Sequence, residues 1–224
     1  MIKYIIFDMD GVLINSEPVH YKIWKEIFAE RGLDIDFEHY KGCIGSTWKT
    51  LCDLLLEGYG VNFYDDSTLR IQFKEKKRMY IEKHGVPQIE GVVEVIKKLK
   101  EKGYRLAVAS SSPQEYIEFC TEKLGIARYF EILFSAERVA RPKPFPDVFL
   151  AVAKMMQAKP EECLVIEDSY NGSKAAKAAG MKCLGFANPD SGNQDLTVAD
   201  RIFYPFKDLI EELEKCNDTR GKRS

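Results

Sequence analysis

The sequence predicts an α/β protein, a doubly wound parallel sheet interrupted by a helical insert, and three observations carry that expectation. Short continuous apolar runs, Ile5-Ile6-Phe7, Leu106-Ala107-Val108-Ala109 and Leu164-Val165-Ile166, are partly β-branched and end abruptly at small or polar residues. Strands buried on both faces of a parallel sheet read this way. Longer amphipathic stretches lie between the runs, which is the β-α alternation of a doubly wound sheet. From about Ser16 to Gly85 the rhythm breaks, and helical patterns continue with no convincing strand.

Taken in order, Ile5 to Phe7 form the first strand. In the insert, Val19, Ile23, Ile27 and Phe28 mark one helix, Leu51, Leu54 and Leu55 a second, and Leu69, Phe73 and Tyr80 a third. Val92, Val93, Ile96 and Leu99 then recur at helical spacing up to Gly103. Pro113 opens a helix with Ile117, Cys120 and Leu124 on one face, and Pro146 opens another carrying Phe149, Val152 and Met156. Cys183 to Phe186 and Ile202-Phe203 are candidate further strands. Asn217 to Ser224 are polar and basic, and a frayed tail is expected there. The domain reading is an α/β catalytic core of residues 1–15 and 86–224, with a helical cap of residues 16–85.

Composition narrows the function classes. The 224 residues suit one large domain or a domain with an insert. With 45% hydrophobic and 30% charged residues the class is soluble and globular. A formal net charge of -2 gives no pull toward nucleic acid. The six cysteines form no C-x-x-C pair and no His cluster accompanies them, so no zinc site is expected and the thiols fit a reducing cytoplasm. The apolar run before Asp8 is too short for a signal peptide or a membrane span. A monomer is expected, with no nucleic acid and no membrane among its partners.

The chemistry lies where the strand-like runs stop. Asp8 and Asp10 follow the first run, Ser110, Ser111 and Ser112 the second, and Glu167 and Asp168 the third. In a parallel sheet these ends converge on one edge. Carboxylates gathered so closely repel one another unless a cation sits among them, and oxygen ligands without His or thiolate suit Mg²⁺. An aspartate can attack phosphorus to form an aspartyl-phosphate. A second carboxylate two residues on, brought near by a turn at Gly11, can protonate the leaving oxygen and later activate water. Ser110 can donate to the phosphoryl group, and Lys143, in the stiff Arg141-Pro142-Lys143-Pro144-Phe145-Pro146-Asp147 segment, can supply the cation. Each feature alone has a bland reading as a loop residue, helix cap or surface lysine, and the case rests on all four occurring together in this order.

Asp8-Met9-Asp10-Gly11-Val12, Ser110, Lys143 and Glu167-Asp168 resemble the four motifs of the haloacid dehalogenase superfamily over nearly the whole chain. The resemblance implies a Rossmann-like core with a helical cap inserted after the first motif. It implies Asp8 as nucleophile and Asp10 as general acid/base. The implied Mg²⁺ ligands are the Asp8 side chain, the Asp10 backbone carbonyl and Asp168, with Glu167 behind them, and Ser110, Ser111 and Lys143 hold the phosphoryl group. Glu17, His20 and Trp24, with Glu167-Asp168-Ser169-x-Asn171-Gly172, resemble the branch of β-phosphoglucomutase and sugar-phosphate phosphatases, which brings His20 and Asn171 in as substrate-side residues.

The mutase carries an arginine in its cap loop. The corresponding stretch here, Gly45-Ser46-Thr47-Trp48, has none, which favours hydrolysis of a small phosphorylated metabolite, a sugar phosphate above all. A phosphomutase, a phosphate-binding regulatory module with little turnover and a structural domain with incidental acids remain the alternatives. In the cap, the Lys74-Arg78 basic run reads as a solvated helix face, with Lys76, as the member that would reach a substrate, the lesser alternative. Trp24 reads as core and Trp48 as a pocket residue, and Gly42 and Gly45 let the cap loop approach a ligand.

Overall fold

Residues that bury side chains on both faces of a strand need a helical layer on each side. In this chain, Ile5, Ile6 and Phe7 are all inaccessible to solvent. The computed structural model describes residues 1–44 and 48–218. Gly45, Ser46 and Thr47 of the anticipated cap loop, and the chain beyond residue 218, lie outside the described residues.

Six strands, β1 (Tyr4–Phe7), β2 (Arg105–Ser110), β3 (Phe130–Ser135), β4 (Cys163–Glu167), β5 (Lys182–Phe186) and β6 (Arg201–Phe203), form one parallel sheet in the order β3-β2-β1-β4-β5-β6. The Rossmann-like α/β class is therefore the observed one. The chain builds outward from β1 through β2 to β3, then crosses back to β4 and builds the other way. β1 thus lies at the point where the order reverses, and a ligand crevice forms at such a point beyond the carboxyl ends of the strands.

Among the helices that follow the insert are α5 (Val92–Glu101), α6 (Gln114–Lys123), α7 (Asp147–Met155) and α8 (Tyr170–Ala178). On one sheet face Ile6, Ala107, Ala109, Cys163, Val165 and Cys183 pack with Val148, Phe149 and Val152 of α7 and Ala175 and Ala176 of α8. Small residues on the strands and on α8 leave room for the bulk of Phe149. Alternate residues of the same strands, Ile5, Phe7, Leu106, Val108, Leu164 and Ile166, are also fully buried and by the strand period face the other side.

Two features differ from the sequence expectation. β3 escaped notice because Glu131 breaks its apolar run. As an edge strand it pairs with β2 alone in the sheet order, and Arg105 binds Glu131 bidentately, with Nε 3.0 Å from Oε1 and an Nη 2.6 Å from Oε2. The expected frayed tail begins too early. Helix α9 (Leu209–Asp218) includes Asn217, whose side chain accepts the Ile2 backbone N–H at 2.9 Å. Leu209, Leu213 and Cys216 of α9 are buried, at the i, i+4, i+7 spacing of one helix face.

A second compact unit comprises residues 15–87 and 189–193, the first being residues 1–14, 88–188 and 194–224. It holds α1 (Glu17–Ala29), the short α2 (Phe37–Tyr40), α3 (Trp48–Tyr59) and α4 (Ser67–His84). Its core is aromatic. Trp24 stacks on Phe73 at 4.4 Å and on Phe28 at 5.3 Å, and Trp48 meets Trp24 at 5.5 Å. Trp48 thus packs against this core. Lys76 lies 3.0 Å from Glu30 and 3.7 Å from Glu26, tying α4 to α1. Among the described residues no helix is long and apolar enough to cross a membrane.

Replacing Ile6 by Ala removes three buried carbons at the centre of the sheet. The substitution is expected to lower the free energy of unfolding by about 2–5 kcal/mol, read as a lower urea midpoint at unchanged slope.

Candidate active site

The carboxyl ends of β1, β2 and β4 deliver the site. Asp8 is the first residue after β1, and its N–H still joins the sheet by donating to Ile166 O at 3.0 Å. The chain then turns sharply. Leu13 and Ile14 N–H both donate to Met9 O at 2.8 and 3.0 Å, and Gly11 N–H donates to Ile14 O at 2.7 Å. Gly11 adopts φ 82, a conformation that glycine reaches without steric cost. Asn188 Nδ2 fixes the turn by donating to Gly11 O at 2.9 Å. This turn brings Asp10 back beside Asp8.

Lys143 joins the acidic groups. Its Nζ lies 2.6 Å from Asp8 Oδ1, 2.6 Å from Glu167 Oε1 and 3.3 Å from Ala109 O. The ring of Phe149 lies 5.0 Å below the ammonium. Glu167 is fully buried and Asp8 nearly so. The second oxygen of Glu167 accepts from the Ser169 hydroxyl at 2.8 Å and the Ser169 N–H at 3.2 Å. Carboxylate oxygens of Asp8, Glu167 and Asp168 all lie within 4.8 Å of one another.

These contacts set the ionisation of the cluster. Burial pushes the Asp8 carboxyl up to about 7, Glu167 and Asp10 add to the rise, and Lys143 opposes it. Burial works against the charge on Lys143, but Asp8 and Glu167 outweigh it and hold the ammonium above the ordinary lysine range. Lys143 therefore stays charged, while Asp8 is harder to ionise than an ordinary aspartate. The ammonium meets two carboxylates and Asp168 brings a third beside them, so acidic groups outnumber the cation in this cluster. Its donors are all oxygen, the chemistry that suits Mg²⁺.

Of the expected residues, Asp8, Asp10, Ser110, Lys143, Glu167 and Asp168 lie around these strand ends. Ser110 is buried, and its hydroxyl accepts the Ser112 N–H at 3.1 Å while keeping an O–H to donate. Ser111 is exposed immediately after the strand, and Asn171 is exposed on the first turn of α8. His20 belongs to α1 of the second unit, its Nδ1 3.5 Å from Glu17 and its ring edge-on to Phe73 at 5.2 Å.

Two residues at the site were not assigned a role by sequence. Ser112 Oγ donates to Asp10 Oδ2 at 2.7 Å. Tyr116 is electrostatically coupled to Asp10 as well. Burial first, and then the Asp10 carboxylate, hold its phenol well above the ordinary tyrosine range. The available signal was their spacing, since Ser112 and Tyr116 stand four apart where α6 begins.

With this geometry in place, comparison with known proteins decides the lineage. A model of the haloacid dehalogenase-like hydrolases matches residues 5–186. The chain belongs to this family. It is 32% identical over 179 residues to the fructose-1-phosphate phosphatase YqaB of Escherichia coli (strain K12), covering 79% of this chain and 92% of that one. The crystal structure of CbbY from Rhodobacter sphaeroides in complex with phosphate superposes with a TM-score of 0.78 at 25% identity, over 93% of this chain and 96% of that one. A β-phosphoglucomutase from Clostridium difficile shares the fold, with a TM-score of 0.78 at 24% identity over 98% and 99% of the two chains. The superfamily and branch suggested by the motifs of this haloacid dehalogenase-like hydrolase are thus the ones observed.

Removing the Lys143 ammonium strands two buried carboxylates. In metal-free buffer, Lys143→Met is expected to lose about 3–5 kcal/mol of stability at pH 8 and to recover much of it toward pH 5. The sign follows from linkage. An acid whose folded pKa lies above its unfolded value binds more protons when folded, so its contribution is full below the unfolded pKa near 4 and is lost as pH rises through the folded one. Urea unfolding of both chains from pH 5 to 8 measures the difference.

Proposed function

We propose that this chain is a Mg²⁺-dependent phosphatase that hydrolyses small phosphomonoesters, sugar phosphates above all, through an aspartyl-phosphate at Asp8. The observation that carries this reading is Lys143 Nζ held 2.6 Å from both Asp8 and Glu167 among converging strand ends. An ammonium fixed against a nucleophilic carboxylate orients that carboxylate and attracts the phosphate it is to attack. The sugar-phosphate substrate class draws support from relatives named fructose-1-phosphate phosphatase and phosphorylated carbohydrates phosphatase.

In the proposed cycle, one Asp8 oxygen attacks phosphorus and the bond to the sugar oxygen breaks. Asp10 gives its proton to that leaving oxygen. Asp10 then accepts a proton from water as the water oxygen attacks the phosphoryl group, which releases inorganic phosphate and restores Asp8. Ser112, 2.7 Å from Asp10, orients the acid. Ser110 and the backbone after β2 donate to the phosphoryl oxygens, and Lys143 offsets their charge. The Asp8 and Asp168 side chains and the Asp10 carbonyl would hold the metal ion. When bound, Mg²⁺ supplies positive charge to the transferring phosphoryl oxygens.

The deciding experiment is phosphate release from a panel of sugar phosphates, nucleotides and small phosphorylated acids, with Mg²⁺ and with excess chelator. Release that needs Mg²⁺ and is strongest for one or two sugar phosphates supports the proposal. No release from any member, or release indifferent to chelator, overturns it. Regeneration of a hexose bisphosphate in place of net phosphate loss would assign the phosphomutase reaction instead.

Two further outcomes follow from the site. Asp8→Asn is expected to lower turnover by at least about 10³-fold without loss of fold, checked by kinetics and circular dichroism. Mg²⁺ at about 100 times its dissociation constant is expected to stabilise the folded chain by about 2.7 kcal/mol, a gain that Asp168→Ala should largely abolish in thermal unfolding.

A further inference from the structure

Gly172 stands in the first turn of α8, in ordinary helical backbone. Glycine is among the poorest helix formers, and alanine is the best, so its presence calls for a physical reason. Backbone conformation does not supply one. Contact does. A Cβ placed on Gly172 would fall 1.8 Å from Glu167 Oε1, 1.9 Å from its Cδ and 2.2 Å from its Oε2. The whole carboxylate of Glu167 occupies the space that any side chain at position 172 would fill.

Long side chains usually swing clear of such an intrusion. Glu167 is not placed to do so. It is fully buried, Lys143 binds one oxygen at 2.6 Å and Ser169 binds the other through both its hydroxyl and its N–H. Ser169 is in turn fixed, because its hydroxyl accepts the Gly172 N–H at 3.1 Å as the cap of α8. Moving Glu167 would break these bonds and leave a buried charge without partners.

We propose that Gly172 is a positioning residue: the seat left by its missing side chain holds the Glu167 carboxylate, which in turn sets where Lys143 meets Asp8. The active lysine is thus located by the first turn of a helix that touches neither the lysine nor the nucleophile through a side chain at 172. Both oxygens of Glu167 are already engaged, one by Lys143 and one by Ser169, which gives it the part of an anchor for the lysine. The catalytic arm of this inference rests on the phosphatase reading, whereas the coupling of Gly172 to Glu167 does not.

A double-mutant cycle over Gly172→Ala and Glu167→Ala tests it, with thermal unfolding and steady-state phosphate release as the two readouts. Glu167→Ala leaves Lys143 paired with Asp8 and empties the seat. In the unsubstituted background, Gly172→Ala is expected to lower the Tm and to lower kcat at least tenfold, with a smaller change in KM. In the Glu167→Ala background the same substitution is expected to raise the Tm, since only helix propensity is left, and to change any remaining kcat less than twofold. A Tm change of the same sign in both backgrounds overturns the coupling. A reversal of sign with unchanged kcat in the unsubstituted background overturns the positioning role. If the Gly172→Ala chain does not fold, folding of the double variant supports the proposal and its failure overturns it. Absence of phosphate release from the unsubstituted chain would sink the phosphatase reading, while the sign of the Tm change still decides the coupling.

Discussion

The site turns on one ammonium shared by two buried carboxylates. Lys143 lies at the same short distance from Asp8 and Glu167, and neither acid has another cation among its described contacts. A buried ion pair is weak evidence for stability, since desolvation offsets most of the attraction. The arrangement makes more sense as a constraint. Burial opposes ionisation of Asp8, and a fixed lysine counters that opposition. Glu167 spends its charge on the lysine, and Ser169 and Gly172 spend their geometry on Glu167. The chain of dependence runs outward from one nitrogen to a helix terminus.

Much of this was legible in the sequence because parallel strands simplify the reading. A strand buried on both faces shows as a continuous apolar run, and its end shows as an abrupt polar residue. Asp8, Ser110, Glu167 and Asp168 were found in that way, and the proline-rich frame of Lys143 marked it as a fixed cation. Where the rule failed, a local contact explains the failure. Glu131 disguised β3, because an edge strand tolerates an exposed charge when Arg105 pairs with it. Asn217 looked like tail, because its bond to the Ile2 backbone joins residues 215 apart.

The roles that sequence could not reveal are those that depend on distance between elements. Ser112 looked like a turn or cap residue, and only the meeting of two strand ends shows that its hydroxyl serves Asp10. Gly172 looked like part of a motif, and its purpose is visible only from the carboxylate lying over it. In the helical unit, the aromatic spacing marked core correctly for Trp24, while Trp48 packs on that same core. Lys76 is engaged by Glu26 and Glu30, partners that its own helix does not contain.

The strand order also has a consequence for how the chain is made. β1 is central, yet its register partners for Tyr4 are Arg105 and Cys163, which are 101 and 159 residues further along. At about 5–20 residues per second on the ribosome, Ile5, Ile6 and Phe7 wait roughly 8–30 s for the second of those partners. Both edges of that apolar strand are unpaired until Arg105 is made and one edge until Cys163 follows, and an unpaired edge is open to wrong pairing. Contacts of such long sequence separation also slow folding itself. The strand that leads into Asp8 is therefore paired on both edges only after the segments through β4 have been made.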